Sequence, residues 1–155
     1  MIKNCTIISL IILLFAGSCR KTESENSGPN KTTPRTEKME VAYTFLLKKL
    51  QQDNLNLIAS RDNKSLTLIQ NIIHKHSLNI EVEYYNNIEL GPDFIHYSKS
   101  TKKAVAIIDI KERNGNRYYI SYYLGPEGGA SKEILIEKTS GKWSVVNDDE
   151  MWIVK

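Results

Sequence analysis

The rhythm of apolar and polar positions passes through four regimes along this chain. Ile7 to Ala16 is an apolar block interrupted only by Ser9; it follows Lys3 and runs into Ala16-Gly17-Ser18-Cys19. Residues 20–36, RKTESENSGPNKTTPRT, contain no large apolar side chain. Such a segment cannot bury enough surface to offset its ordering entropy and is expected to be a disordered tether. From Glu37 the period becomes helical: Met39, Tyr43, Leu46, Leu47 and Leu50 recur with Glu40, Lys48, Lys49 and Gln51 between them, predicting an amphipathic helix with one buried face. Thr33 before Pro34 offers a start signal, because proline suits the first helical position, and Asp53-Asn54 a stop. A second helix is expected from near Lys64 to His76, with Leu66, Ile69, Ile72 and Ile73 inward and Asp62 or Asn63 as its cap.

After Ser77 the period falls to two. Ile80, Val82 and Tyr84 alternate with Glu81, Glu83 and Tyr85, the pattern of a half-buried strand. Gly91-Pro92 breaks the chain, and Phe94 to Tyr97 predicts a short edge strand. Lys103 to Lys111 and Arg117 to Leu124 flank Asn114-Gly115, a strong local hairpin signal. The loop GPEGGA is expected to lead to a strand at Glu133 to Lys138. Ser140-Gly141 turns the chain into Lys142 to Val146, and MWIV (151–154) closes the sheet. The expected fold class is therefore α+β: two N-terminal helices packed on a curved antiparallel β-meander of four to six strands. Domain boundaries follow as 1–18 for a signal, 19–36 for the tether and 37–155 for a single domain.

The apolar block is too short for a membrane span. Counted from Cys5 to Ser18 it reaches fourteen residues, whereas a spanning helix needs about 17–25. A positive start, a short greasy run and small residues are the marks of an export signal. Ala16-Gly17-Ser18-Cys19 resembles the lipobox of bacterial lipoproteins, with Ala where Leu is commonest. The resemblance implies cleavage before Cys19, a diacylglyceryl group on its thiol and acylation of its new amino group. Only a thiolate is nucleophilic enough for that transfer near neutral pH. It also implies a cell-envelope location, lipid-anchored to the outer membrane on its periplasmic or surface side. Arg20 after the anchor, with no aspartate there, agrees with that outer-membrane default. Two or three acyl chains anchor stably where one does not, and the tether gives a reach of about 20–25 Å above the lipid.

The remaining chemistry is sparse. The only cysteines are Cys5 and Cys19, so the mature body has no disulfide, thiolate-zinc site or cysteine nucleophile. Without Lys3, twenty basic side chains face eighteen acidic ones, a net +2. That balance offers no clustered basic footprint for nucleic acid, and no nucleic-acid partner is expected.

Helices followed by a long antiparallel meander ending in Gly141-Lys142-Trp143-Ser144-Val145-Val146 are similar to NTF2-like and cystatin-like domains, over about residues 37–155. The resemblance implies a curved sheet wrapping a helix.

Each candidate site has a plain structural alternative. His74 and His76 stand two apart, which on a helix opposes them, whereas metal-binding histidines on a helix stand four apart. With His96 they are not expected to converge, and helix-end histidines suit the dipole. Asp148-Asp149-Glu150 lacks the alternate spacing of a calcium loop and reads as a solvated turn. Glu81 and Glu83 share a strand face without the cleft a glycosidase pair needs. No catalytic, cofactor or metal site is therefore expected. Leu90–Asp93 and Leu124–Glu127 repeat one Leu-Gly-Pro-acid turn, read as shared turn chemistry.

Tyrosine is the richest lead. Alternation sends Tyr118 and Tyr122 to one sheet face and Tyr119 and Tyr123 to the other. Tyr119, Tyr123 and Tyr85 form the candidate binding face, since tyrosine joins an apolar body to a polar tip. The expected function is a lipid-anchored binding or assembly module with an envelope protein partner or a small ligand. Two alternatives remain: an NTF2-like envelope enzyme or ligand-binding protein built around Asp109 or His96, and an inhibitor or immunity-type protein using GPEGGA as a wedge.

Overall fold

A computed structural model describes residues 33–147 and 152–154. Cys19 and Asp148 to Glu150 lie outside the described residues. No helix among those described is long and apolar enough to cross a membrane. The described residues belong to one compact unit.

Helix α1 spans Pro34–Gln52 and starts as its sequence dictates. The Thr33 hydroxyl accepts from the Thr36 amide, Pro34 fills the first turn, and Asp53 caps the end. It therefore begins inside the stretch read as tether. Strand β1 (Leu57–Ser60) follows, then a single 3-10 turn capped by Asp62, and helix α2 (Leu66–His76). Ser77, at φ 51°, closes α2 in the left-handed conformation. Then come β2 (Glu81–Tyr84), a second 3-10 turn (Tyr85–Asn87), β3 (Ile88–Leu90), β4 (His96–Ser98), β5 (Ala106–Asn114), β6 (Arg117–Gly125), β7 (Gly128–Thr139), β8 (Lys142–Val145) and β9 (Ile153–Val154).

The class is α+β with a strongly curled sheet, but two parts of the expectation are corrected. The sheet runs β2-β1-β5-β6-β7-β8 with β9 also on β7, and β1 is parallel to both β2 and β5. It is mixed, not an antiparallel meander. The helices do not both precede the strands, because α2 is the crossover of a β1-α2-β2 unit. Strand β1 escaped sequence reading for a physical reason. All four of its residues are buried, and a strand covered on both faces shows a short apolar run with no alternation.

Both helices cover one face. Ala42, Tyr43, Leu46, Leu47 and Leu50 of α1 and Ile69 and Ile72 of α2 pack with Ile58, Ile108, Tyr118, Ile120, Ile134 and Ile136. Trp143 joins this side and donates its indole N–H to Glu37 at 2.9 Å, fixing the start of α1 against β8. The opposite face has a smaller cluster of Leu57, Ala59, Val105 and Ile107, covered by Ile88 and Tyr123. Its cover is the separate β3–β4 hairpin, held down where Ser98 and Ser100 donate to Glu83 at 2.7 and 3.2 Å. Those partners and the Asn87 amide hold the Glu83 carboxyl below its usual range, the Asn87 contribution being largest.

The two Leu-Gly-Pro turns meet in space. A Cβ on Gly125 would lie 1.8 Å from the Phe94 carbonyl oxygen, so only glycine lets the β3–β4 tip rest on the β6–β7 turn. GPEGGA is not a projecting loop: Gly125 pairs with Gly128, and Gly129 and Ala130 are already strand. The wedge expected there is replaced by a tight hairpin.

Candidate functional site

Beyond the β3–β4 cover, the helix-free face of β5, β6 and β7 is open. It carries a groove of about 410 Å³ bounded by Arg61, Asp109, Lys111, Tyr119, Ser131 and the glycines of the β6–β7 turn. Register explains who faces it. Tyr119 lies opposite Glu133, Ser121 opposite Ser131 and Tyr123 opposite Gly129, so these side chains share the face away from the helices. Tyr118, Ile120 and Tyr122 point the other way.

The three tyrosines singled out by sequence each have a guanidinium over the ring. Arg61 lies 5.3 Å from the Tyr123 ring centre and 5.5 Å from that of Tyr85. Arg113 lies 5.3 Å from that of Tyr119. Such contacts add roughly 0.5–1 kcal/mol at exposed sites. Burial raises the Tyr123 phenol above its ordinary range, with nearby Arg61 opposing the rise. His96 approaches Tyr123 edge-on at 5.8 Å and shares a 2.8 Å hydrogen bond with the Leu124 carbonyl. A carbonyl only accepts, so Nδ1 carries the proton.

Asp109 is half-buried on the helix-free face and bonded to Lys111 at 3.0 Å. Together with Arg61 it also borders a second cavity of about 350 Å³, walled by Tyr43, Ser60 and Asp62 at the carboxyl end of β1. Burial raises the Tyr43 phenol there.

The histidines do not converge. His74 and His76 occupy the last turn of α2, His74 beside a hollow of about 610 Å³ shared with Ile73, Leu78 and Val82. His96 belongs to β4 on the other face. Among the described residues no group of three or more His, Cys, Asp or Glu side chains is placed to hold a metal ion.

Sequence reasoning missed Arg61 and Ser131. Arg61 follows an unrecognised strand, and its nearest signal is the cap residue Asp62 beside it. Ser131 falls between the GPEGGA loop and the strand expected from Glu133. What fold and groove define is an α+β domain with an open, arginine- and tyrosine-lined sheet face. No family of known proteins, curated protein or solved structure matches the chain.

Proposed function

We propose that this is a lipid-anchored envelope protein, held at the outer membrane through Cys19, whose helix-free sheet face binds a ligand or an envelope partner. The carrying observation is Arg61, set over Tyr85 and Tyr123 at the edge of the 410 Å³ groove. An exposed guanidinium against two aromatic rings is the residue type on which binding surfaces concentrate their energy. Pockets of small-molecule sites run from about 300 to 1,000 Å³, and the groove falls in that range.

The proposed likeness to NTF2-like and cystatin-like domains draws on the antiparallel run β5 to β8 alone. A second reading, an envelope enzyme of that type, is favoured by one observation: Asp109 borders both cavities. Its carboxylate is taken up by the 3.0 Å ion pair with Lys111, which suits a positioning role better than proton transfer.

In-cell crosslinking and pull-down of the full chain tests the proposal, run beside Cys19→Ala and Tyr123→Ala. A discrete partner lost in both variants supports an anchored binding module. The same capture from all three chains overturns it.

A further inference from the structure

The charge of the groove comes from a pairing that does not form. Arg61 and Asp109 stand one step beyond the paired Ser60 and Ile108 of β1 and β5, so they begin side by side on the helix-free face. Asp109 bonds to Lys111 instead, and Arg61 turns onto Tyr85 and Tyr123. Among the described residues no carboxylate lies within ion-pair reach of Arg61. The rings are cover for the guanidinium and compete for none of its five N–H donors, which form a planar fork matched to carboxylate and phosphate oxygens. Aromatic packing restrains the fork, so less rotamer freedom is lost when an oxyanion arrives.

A second, independent feature points into the same groove. Ser131 is 2% exposed and lines it, and its hydroxyl has no hydrogen-bond partner among the described residues. A buried hydroxyl left unpaired destabilises the fold; its oxygen is closed to solvent, so a ligand hydroxyl that parts the groove wall to reach it would remove that penalty. Asp109 and Lys111 neutralise one another, so Arg61 supplies the net charge at this end, and the Asp109 carboxylate disfavours a second anionic group.

Resting on the reading of this face as a binding surface, we infer that the groove takes a small hydroxylated compound with a single anionic group, a sugar acid or sugar phosphate. Its oxyanion sits on the Arg61 fork and one of its hydroxyls meets Ser131. Charge-assisted hydrogen bonds set the orientation, and the serine hydroxyl selects against ligands that are anionic but apolar.

Calorimetric titration of the full chain in detergent tests this with glucuronate, glucose 6-phosphate and uncharged glucose. Saturable binding is expected for at least one anion, and which one identifies the oxyanion as carboxylate or phosphate. Glucose should bind at least about tenfold more weakly, and Arg61→Met should weaken the anion by about tenfold or more. Arg61→Lys, which keeps the charge and loses the fork, should fall between, and Ser131→Ala should cost about threefold or more. Circular dichroism confirms that each variant is folded, as expected for an exposed Arg61. Equal binding of glucose, anion affinity unchanged in Arg61→Met, or no binding of either anion at millimolar concentration overturns the inference. If both anions fail while Tyr123→Ala still abolishes partner capture, this inference falls and the binding-face reading stands; if capture is also unchanged, both fall.

Discussion

Tyr118 and Tyr119 are neighbours in sequence and lie on opposite faces of β6, where they meet different surroundings. Tyr118 is fully buried beneath the helices, and its hydroxyl has no hydrogen-bond partner among the described residues. Tyr119 is half-buried at the open groove, under Arg113. The helix side draws on many close-packed apolar side chains and tolerates little change. The helix-free side has a small apolar patch under β3–β4, then arginine, tyrosine and serine. Stability concentrates on one face, which frees the other to carry groups that folding does not need.

The largest break in that comparison should come from emptying the helix side. Leu46→Ala, at a fully buried position of α1, is expected to cost about 2–5 kcal/mol, read as a shifted urea midpoint. A value near zero would place the core elsewhere. Next is Gly125→Ala, which drives a methyl into the Phe94 carbonyl. About 1–3 kcal/mol is expected, together with faster hydrogen exchange in β3 and β4. Exchange unchanged there would mean that the two Leu-Gly-Pro turns do not depend on each other.

Alkaline pH sharpens the contrast through Tyr122, on the helix side. Burial, and then the Asp53 carboxylate that accepts its hydroxyl at 2.8 Å, push its pKa from 10.0 up to about 12. The folded state holds this proton more tightly than the unfolded chain. Its contribution is thus complete below pH 10 and lost as pH rises toward 12. Tyr122→Phe should flatten part of the alkaline limb of a melting-temperature profile; an unchanged slope would remove Tyr122 as its source.

A change of opposite sign is expected from Tyr118→Phe. Deleting an unpartnered buried hydroxyl should raise stability, by up to about 1 kcal/mol, visible as a higher melting temperature. Smallest of all, Arg61→Met on the open face should move stability by no more than about 0.5 kcal/mol while removing anion binding. A loss well above that would make the arginine a structural brace and erase the distinction between the faces.

Local rules carried much of this fold. Thr33-Pro34 and Asp53 bound α1 because capping and proline geometry act over a single turn. Asn114-Gly115 and Ser140-Gly141 place hairpins because both glycines take positive φ, 54° and 81°. The division of Tyr118 and Tyr122 from Tyr119 and Tyr123 needed only the pleat. Tertiary structure decided the rest. The parallel placement of β1 depends on partners distant in sequence, and its burial on both faces erases the periodicity that would announce it. Arg61 becomes a candidate ligand group only because β5 lies beside β1, Lys111 takes Asp109, Tyr85 arrives from the 3-10 turn after β2 and Tyr123 from β6. Alternation reports which side of a strand a residue faces; which strand lies alongside, and so which charge is left without a partner, is fixed by long-range pairing that no local pattern encodes.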